Sequence, residues 1–297
     1  MEYIPAKTIV TKTKAPGQWF GIDYNMNIYK GCCHGCIYCD SRSDCYGVDD
    51  FDRVRAKENA LRIIRDDLRR KTRSGVIGTG AMSDPYNPFE KELMLSRHAL
   101  ELCDAFGFGA AVATKSSLLC RDIDILQSIA EHSPVLLKIT VTTASDDLAG
   151  KIEPYVSRPE ERFEMIGKLS GAGLYTGILL MPVLPFIEDN RENIGEIIRR
   201  AGEAGARFIY PAFGMTLRGN QRAWYYRKLD ELFPEKGLSE VYRKRYGEYY
   251  ECTSPHAGRL WGYFTEECRK RQIVYRMEDI ISQYKRPYRV TQLTLPF

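Results

Sequence analysis

What the chain lacks narrows it before any motif is read. No apolar run approaches the ~20 residues that a membrane helix needs, so no membrane partner is expected. The start, Met1-Glu2-Tyr3-Ile4-Pro5, has no apolar signal core and reads as unprocessed, which points to the cytoplasm. There is no low-complexity linker and no internal repeat beyond alternating strand and helix. Net charge is scarce: 43 Lys and Arg against 39 Asp and Glu leave only +4. That balance hints weakly at an anionic partner and is no nucleic-acid footprint by itself. The nine cysteines are odd in number and three are clustered, which argues against a disulfide framework. A reducing compartment suits them. The 297 residues suit one large domain, alone or with an appendage.

What is present centres on Gly31-Cys32-Cys33-His34-Gly35-Cys36-Ile37-Tyr38-Cys39. Cys32, Cys36 and Cys39 follow a Cys-x3-Cys-x2-Cys spacing. Three thiolates held this closely can grip three irons of a [4Fe–4S] cube and leave the fourth iron open. Soft sulfur ligands without a His pair favour iron–sulfur over an ordinary metal ion. A structural zinc site is the alternative, with Cys33 or His34 as the fourth ligand it normally wants.

Around this loop, strand and helix patterns alternate about six times. Residues 1–25 read as a loop-rich lead-in, with Trp19 and Phe20 as a core-anchoring arm. Met26–Lys30 reads as a strand delivering the cysteines. Val54, Leu61, Ile64 and Leu68 recur at helical spacing, with the arginines of that segment on a solvated face. Strands are expected at 75–78, 109–114, 135–143, 174–181 and 208–213, with helices between them. Such alternation indicates parallel βαβ units, in a partial barrel or an open doubly wound sheet. From 218 onward the pattern is helical, aromatic and basic, and reads as a C-terminal appendage over 218–297.

The three-cysteine loop, with an aromatic (Tyr38) before its last cysteine, resembles the radical S-adenosylmethionine (SAM) superfamily. The longer stretch from Asn27-Ile28-Tyr29-Lys30-Gly31-Cys32 through Asp40 is similar to the branch that contains spore photoproduct lyase. The resemblance implies an α/β fold, a partial (β/α)6 barrel of the TIM type over 26–217. It implies a [4Fe–4S] cluster and S-adenosyl-L-methionine as cofactors. It also implies a 5′-deoxyadenosyl radical as the reactive species and an external one-electron reductant such as flavodoxin or ferredoxin.

Chemistry in α/β barrels sits at the C-terminal strand ends, and polar candidates stand at several of them here. After the second strand, Gly78, Thr79 and Gly80 let backbone approach a ligand. Ser83 and Asp84 follow, as cofactor contacts or as turn formers before Pro85. The family's usual Gly-Gly-Glu-type motif is not literally present. Lys115, in Thr114-Lys115-Ser116, is placed to pair with the methionine carboxylate of SAM. Alternation puts Lys138, Thr140 and Thr142 on one strand face, for ribose or substrate or as a plain polar face. Gly177 is a candidate to lie near adenine, and Tyr210, Pro211 and Phe213 to stack on it, with plain core packing as the alternative. Cys45 is the candidate hydrogen donor, although not at the photoproduct enzyme's position. Asp230 or Asp84 is the candidate carboxylate for a guanine-like edge.

The expected activity is that of a radical SAM lyase cleaving a C–N or C–C bond in a modified nucleobase. The specific expectation is a queuine lyase, which converts queuine to 7-aminomethyl-7-deazaguanine. A DNA thymine dimer is the second substrate, disfavoured by the near-neutral charge and the lack of a DNA-inserting hairpin. A non-catalytic Fe–S or zinc module binding nucleic acid is the alternative of a different class. Cys252 and Cys268 alone are too few for an auxiliary cluster in the tail.

Overall fold

Short apolar runs bounded by glycine or polar turns become strands, and they pair in chain order. The computed structural model describes residues 1–288. Six strands lie parallel: β1 (Tyr24–Met26), β2 (Val76–Thr79), β3 (Gly109–Thr114), β4 (Val135–Thr140), β5 (Thr176–Leu180) and β6 (Phe208–Pro211). Register runs straight across them: Asn25 pairs with Gly78, Gly78 with Ala111, and Ala111 with Leu136. Val10–Lys12 adds an antiparallel edge strand beside β1. Parallel neighbours need long crossovers, which α1 (Ala60–Arg69), α2 (Leu95–Ala105), α3 (Ile123–His132), α4 (Pro159–Gly171) and α5 (Arg191–Glu203) supply.

The sheet curls. Phe20, just before β1, meets Tyr210 and Phe208 of β6 with ring centroids 5.1 and 6.1 Å apart. The two ends of the parallel run can share one side chain only if the strands bend into a partial barrel. Its convex face carries Ile77, Val112, Leu137, Ile139, Ile178 and Leu180, which pack under the helices. Its concave face carries Val76, Ala111, Leu136, Leu179 and Phe208, packed on Phe20 and Ile22. Phe20 is wholly buried, so the lead-in arm anchors the core. The lead-in also holds more strand than its composition suggests: Glu2–Ile4 pairs with Arg55–Lys57, which pairs with Tyr29–Lys30.

The expected tail divides into parts with different destinations. α6 (Gly219–Leu232) and α7 (Leu238–Tyr246) form a satellite core with Leu184, Met215 and Leu217 that reaches Cys36, Ile37 and Tyr38. α8 (Ala257–Lys270) instead sends Leu260, Phe264 and Cys268 into the main core beside α5, as a sixth crossover helix. α9 (Met277–Lys285) closes the barrel floor, where Tyr284 donates to the Phe20 carbonyl at 2.6 Å. Helical periodicity shows that one face is buried but not against what. Gly214–Thr216 also pairs antiparallel with Glu251–Thr253, a contact across three dozen residues that no local pattern announces. Residues 289–297 of the expected appendage lie outside the described residues.

Candidate active site

The cysteine loop leaves Tyr29–Lys30 through Gly31, whose φ is +81°. A Cβ there would lie 2.3 Å from the Arg53 carbonyl oxygen, so glycine alone fits. The Cys32 N–H donates to Phe51 O at 2.8 Å and the Ile37 N–H to Ile152 O at 3.0 Å, which fixes both ends. Cys36 is buried, Cys32 and Cys39 are half-buried, and none is in a disulfide. Burial pushes Cys32 up to about 12, with Asp84 adding to it. Burial raises Cys36 and Cys39 as well, against the pull of Lys115. Thiols held this way become thiolates when a cation joins them.

Beneath the loop lies a buried set of charges. Glu153 and Arg162 approach to 2.6 Å, and the Tyr38 hydroxyl donates to the other Glu153 oxygen. Burial opposes the Glu153 carboxylate, but Arg162 and Lys115 outweigh it and its pKa is lowered. Burial likewise opposes the Lys115 ammonium, but Cys36 and Glu153 hold it up at about 12.

Asp84 joins three elements. Its carboxylate accepts from Thr114 Oγ1 (2.6 Å), from the backbone N–H of Lys115 (2.8 Å) and of Tyr86 (2.9 Å), and faces His34 Nδ1 at 3.4 Å. Ser83 donates to the Tyr29 carbonyl at 3.1 Å. The loop after β2 is thereby bound to the end of β3 and to the cysteine loop.

Above these groups opens a cavity of about 740 Å³. It lies at the C-terminal ends of the strands: Ala81 follows β2, Lys115 follows β3, Met181 and Pro182 follow β5, and Phe213 follows β6. Tyr38 and Cys39 form its floor. The strand pair Gly214–Thr216 and Glu251–Thr253 roofs it, with Trp261 of α8 at the rim.

Residues 26–201, more than half of the chain, match the family model described as the radical SAM superfamily. The chain belongs to the radical SAM superfamily. It is 30% identical over 230 residues to an uncharacterized protein of Mycobacterium tuberculosis, across 75% of this chain and 67% of that one. It is 28% identical over 235 residues to an uncharacterized protein of Methanocaldococcus jannaschii, across 78% and 83%. Among solved structures, a spore photoproduct lyase variant superposes with a TM-score of 0.67 at 14% identity, covering 93% of this chain and 80% of that one. A radical SAM methyltransferase, TsrM from Kitasatospora setae, with cobalamin and a [4Fe-4S] cluster bound, gives 0.55 at 10% identity, covering 89% and 61%. At these identities the likeness speaks to the fold, and that fold is of the spore photoproduct lyase kind.

The protein is thus a radical SAM enzyme, and its cofactors are a [4Fe–4S] cluster and SAM. The donor set fits them: three buried or half-buried thiols on one loop, one of them open to the cavity, with the half-buried Lys115 alongside. Among the described residues no three His, Cys, Asp or Glu side chains converge on a point for a single ion. No helix among them is long and apolar enough to cross a membrane.

The remaining expected site residues scatter. Tyr38, Cys39 and Lys115 line the cavity; Thr79 and Thr140 lie at the ends of β2 and β4. Ser83 and Asp84 spend their hydrogen-bonding groups on the protein itself. Gly78 and Gly177 lie deeper on the concave face, where a Cβ would strike Ile22 and Phe208 respectively. Tyr210 packs on Trp19 and Phe20. Thr142 is wholly buried, beyond the strand end. Cys45 is solvent-exposed and outside the cavity lining. Asp230 is an exposed residue of α6, also outside it. The amphipathic period that marked α6 cannot tell which of its polar residues meets a pocket. The cavity's own carboxylates are Asp40 and Glu251, which local pattern did not single out. Asp40 is taken by Arg218 (2.6 Å) and Thr216 (3.1 Å).

Proposed function

We propose that this radical SAM enzyme is a lyase that breaks a C–N or C–C bond in a flat, base-like small molecule. The cavity wall carries this reading: Met181, Pro211, Phe213 and Trp261 offer apolar plates, and Glu251 offers an exposed carboxylate among them. Flat rings bind between such plates, and a carboxylate selects an N–H edge of the guanine kind. Cluster and SAM together supply the 5′-deoxyadenosyl radical when bound. In this reading Cys32, Cys36 and Cys39 hold the iron, and Lys115 takes the carboxylate of SAM. Gly80 brings backbone close, and Glu251 replaces Asp230 and Asp84 as the reader of the base.

Queuine, converted to 7-aminomethyl-7-deazaguanine, is the specific substrate of this proposal. A dinucleoside thymine photoproduct is the second reading, supported by fold likeness to spore photoproduct lyase. Against it, among the described residues the cavity lining includes no cysteine besides Cys39, and Cys45 faces solvent. Electrons come from an external reductant of the flavodoxin or ferredoxin kind.

The test is anaerobic. Iron and sulfide are reconstituted, dithionite and SAM are added, and 5′-deoxyadenosine is followed by chromatography with Cys36→Ala as control. Queuine and the dinucleoside photoproduct are then offered side by side. Release of 7-aminomethyl-7-deazaguanine supports the first reading, and thymine monomers the second. A wild type that never forms 5′-deoxyadenosine sinks both.

A further inference from the structure

A second pocket, of about 410 Å³, lies between the first and last parallel strands and shares no lining residue with the cavity at the strand ends. Asn25 of β1 lines it from one side and Tyr210 of β6 from the other. Both belong to the concave face. Tyr24 and Met26 pack under the helices, so Asn25 between them points the opposite way, and Tyr210 follows Phe208 by two residues on its concave side. Gln18 and Trp19 of the lead-in arm, both exposed, form the outer wall, so the pocket is reached from solvent.

Phe20 stands at φ +48°, a left-handed conformation rare for a bulky residue. The turn it makes sends Phe20 wholly into the core, while its neighbour Trp19 stays 48% exposed against the pocket. Backbone strain of this kind gathers at ligand clamps. Trp19 meets Phe20 and Tyr210 edge to face, with centroids 5.0 and 5.5 Å apart, and no ring among the described residues lies parallel to it. Asn25 and Gln18 bring carboxamides to the lining that have no side-chain hydrogen-bond partner among the described residues.

The lining sets the class of ligand. Among the described residues no charged side chain borders the pocket, so it does not select an ion. Trp19, Tyr210, Ile22 and Met277 give the apolar walls that a flat ring needs. A carboxamide offers a donor and an acceptor side by side, the pattern that meets the exocyclic amine and ring nitrogen of adenine. The volume falls among those of small-molecule sites, roughly 300–1,000 Å³. We propose that this pocket is a second binding site, for an uncharged adenine nucleoside stacked on Trp19 and held at its base edge by Asn25 and Gln18. SAM, with its charged amino acid and sulfonium, is not such a ligand. Adenosine is one, and so is 5′-deoxyadenosine, which SAM cleavage leaves behind. The site stands whichever bond the enzyme breaks in its substrate.

The test uses the reconstituted enzyme, oxidised and saturated with SAM so that the cofactor's own place is filled. It is dialysed to equilibrium against adenosine, 5′-deoxyadenosine, purine riboside and uridine. Wild type should bind the adenine nucleosides about tenfold tighter than purine riboside, which lacks the exocyclic amine, because a carboxamide built to meet an N–H is then left unpaired. Asn25→Leu and Gln18→Leu should each shrink that ratio, and together bring it within about threefold. Trp19→Ala should weaken adenosine and purine riboside alike, by about fivefold or more, as loss of a stacking face does. The SAM dissociation constant should stay within about twofold in every variant. Comparing adenosine with 5′-deoxyadenosine tells whether a free nucleoside or the reaction's own product is the better occupant. The second site falls if SAM-saturated wild type binds adenosine no tighter than uridine, or if Trp19→Ala binds it as wild type does. It also falls if SAM displaces adenosine competitively, since one site would then hold both. No turnover is needed, so failure of the lyase reading leaves these results standing. Should Asn25→Leu not fold, the exposed Trp19 and Gln18 positions still decide the matter.

Discussion

Arg162 and Glu153 face each other at 2.6 Å with side chains only 1% and 0% exposed. The same guanidinium donates to the carbonyl of Thr140 at 2.9 Å and of Ser157 at 2.7 Å, while Glu153 accepts from Tyr38. One ion pair thus ties the end of β4 to the cysteine loop. Removing one partner strands the other charge in the interior, which costs about 3–5 kcal/mol. Arg162→Met should lower the urea midpoint accordingly and cut iron retained after reconstitution. Arg162→Met with Glu153→Leu should recover part of the stability but not the iron, because Tyr38 then loses its acceptor as well.

Gly80 gives a sharper test of the loop after β2. Its φ is +94°, and a Cβ would stand 1.9 Å from the Ala113 carbonyl oxygen. Backbone cannot yield as a side chain tip can. Gly80→Ala should therefore cost at least about 2 kcal/mol, and equilibrium dialysis should show weakened SAM retention. Gly167, inside α4, has nothing within 4 Å of its Cβ position. Gly167→Ala should stabilise by about 0.5–1 kcal/mol through helix propensity. If both substitutions behave alike, the assigned geometry around Gly80 is wrong.

Five of the six strand–helix units were legible because each repeats the same signal: a short apolar run, a turn, then a helical period; the first was not, since the strand expected over Met26–Lys30 divides between β1 (Tyr24–Met26) and Tyr29–Lys30 in another sheet. Strand Gly109–Thr114 was legible to the residue, and Lys138 with Thr140 was placed on one face by alternation alone. Thr142 was not, because β4 ends at Thr140 and alternation stops with the strand. Glu153 and Arg162 escaped notice because neither sits in a motif and their meeting depends on tertiary packing. Glu251 escaped because its strand pairs with Gly214–Thr216 across the two intervening helices, α6 and α7. Local pattern carries the frame, and the polar chemistry added by long-range closure has no local signature.

Glu188 predicts how stability depends on pH. It is fully buried, and burial pushes its pKa from 4.5 up to about 8. The folded protein thus keeps a proton between those values that the unfolded chain has released. Stability from this group is fully present below pH 4.5 and drains away as pH rises toward 8, at up to about 1.4 kcal/mol per unit. Glu188→Gln cannot titrate, so its stability relative to wild type should climb steadily from pH 5 to pH 8. Urea midpoints across that range check it. A difference between the two proteins that is flat with pH would mean Glu188 is charged in the folded state.

Glu251 decides between a cavity that reads a base edge and one that only encloses a ring. It is exposed in the cavity lining on a strand held by Met215 and Cys252 pairing, while Asp40 across the cavity is already bound to Arg218. A carboxylate accepts from two adjacent N–H groups of a guanine-like ring; a carboxamide offers one acceptor and one mismatched donor. Glu251→Gln should therefore raise KM for a guanine-like substrate by about tenfold or more, with a smaller fall in kcat. Trp261→Ala removes only a stacking face, and its effect should not depend on the pattern of donors on the ring. Comparing guanine-like with adenine-like probes in both variants separates the two roles. If Glu251→Gln weakens both probe types equally, the carboxylate shapes the cavity mouth and reads nothing.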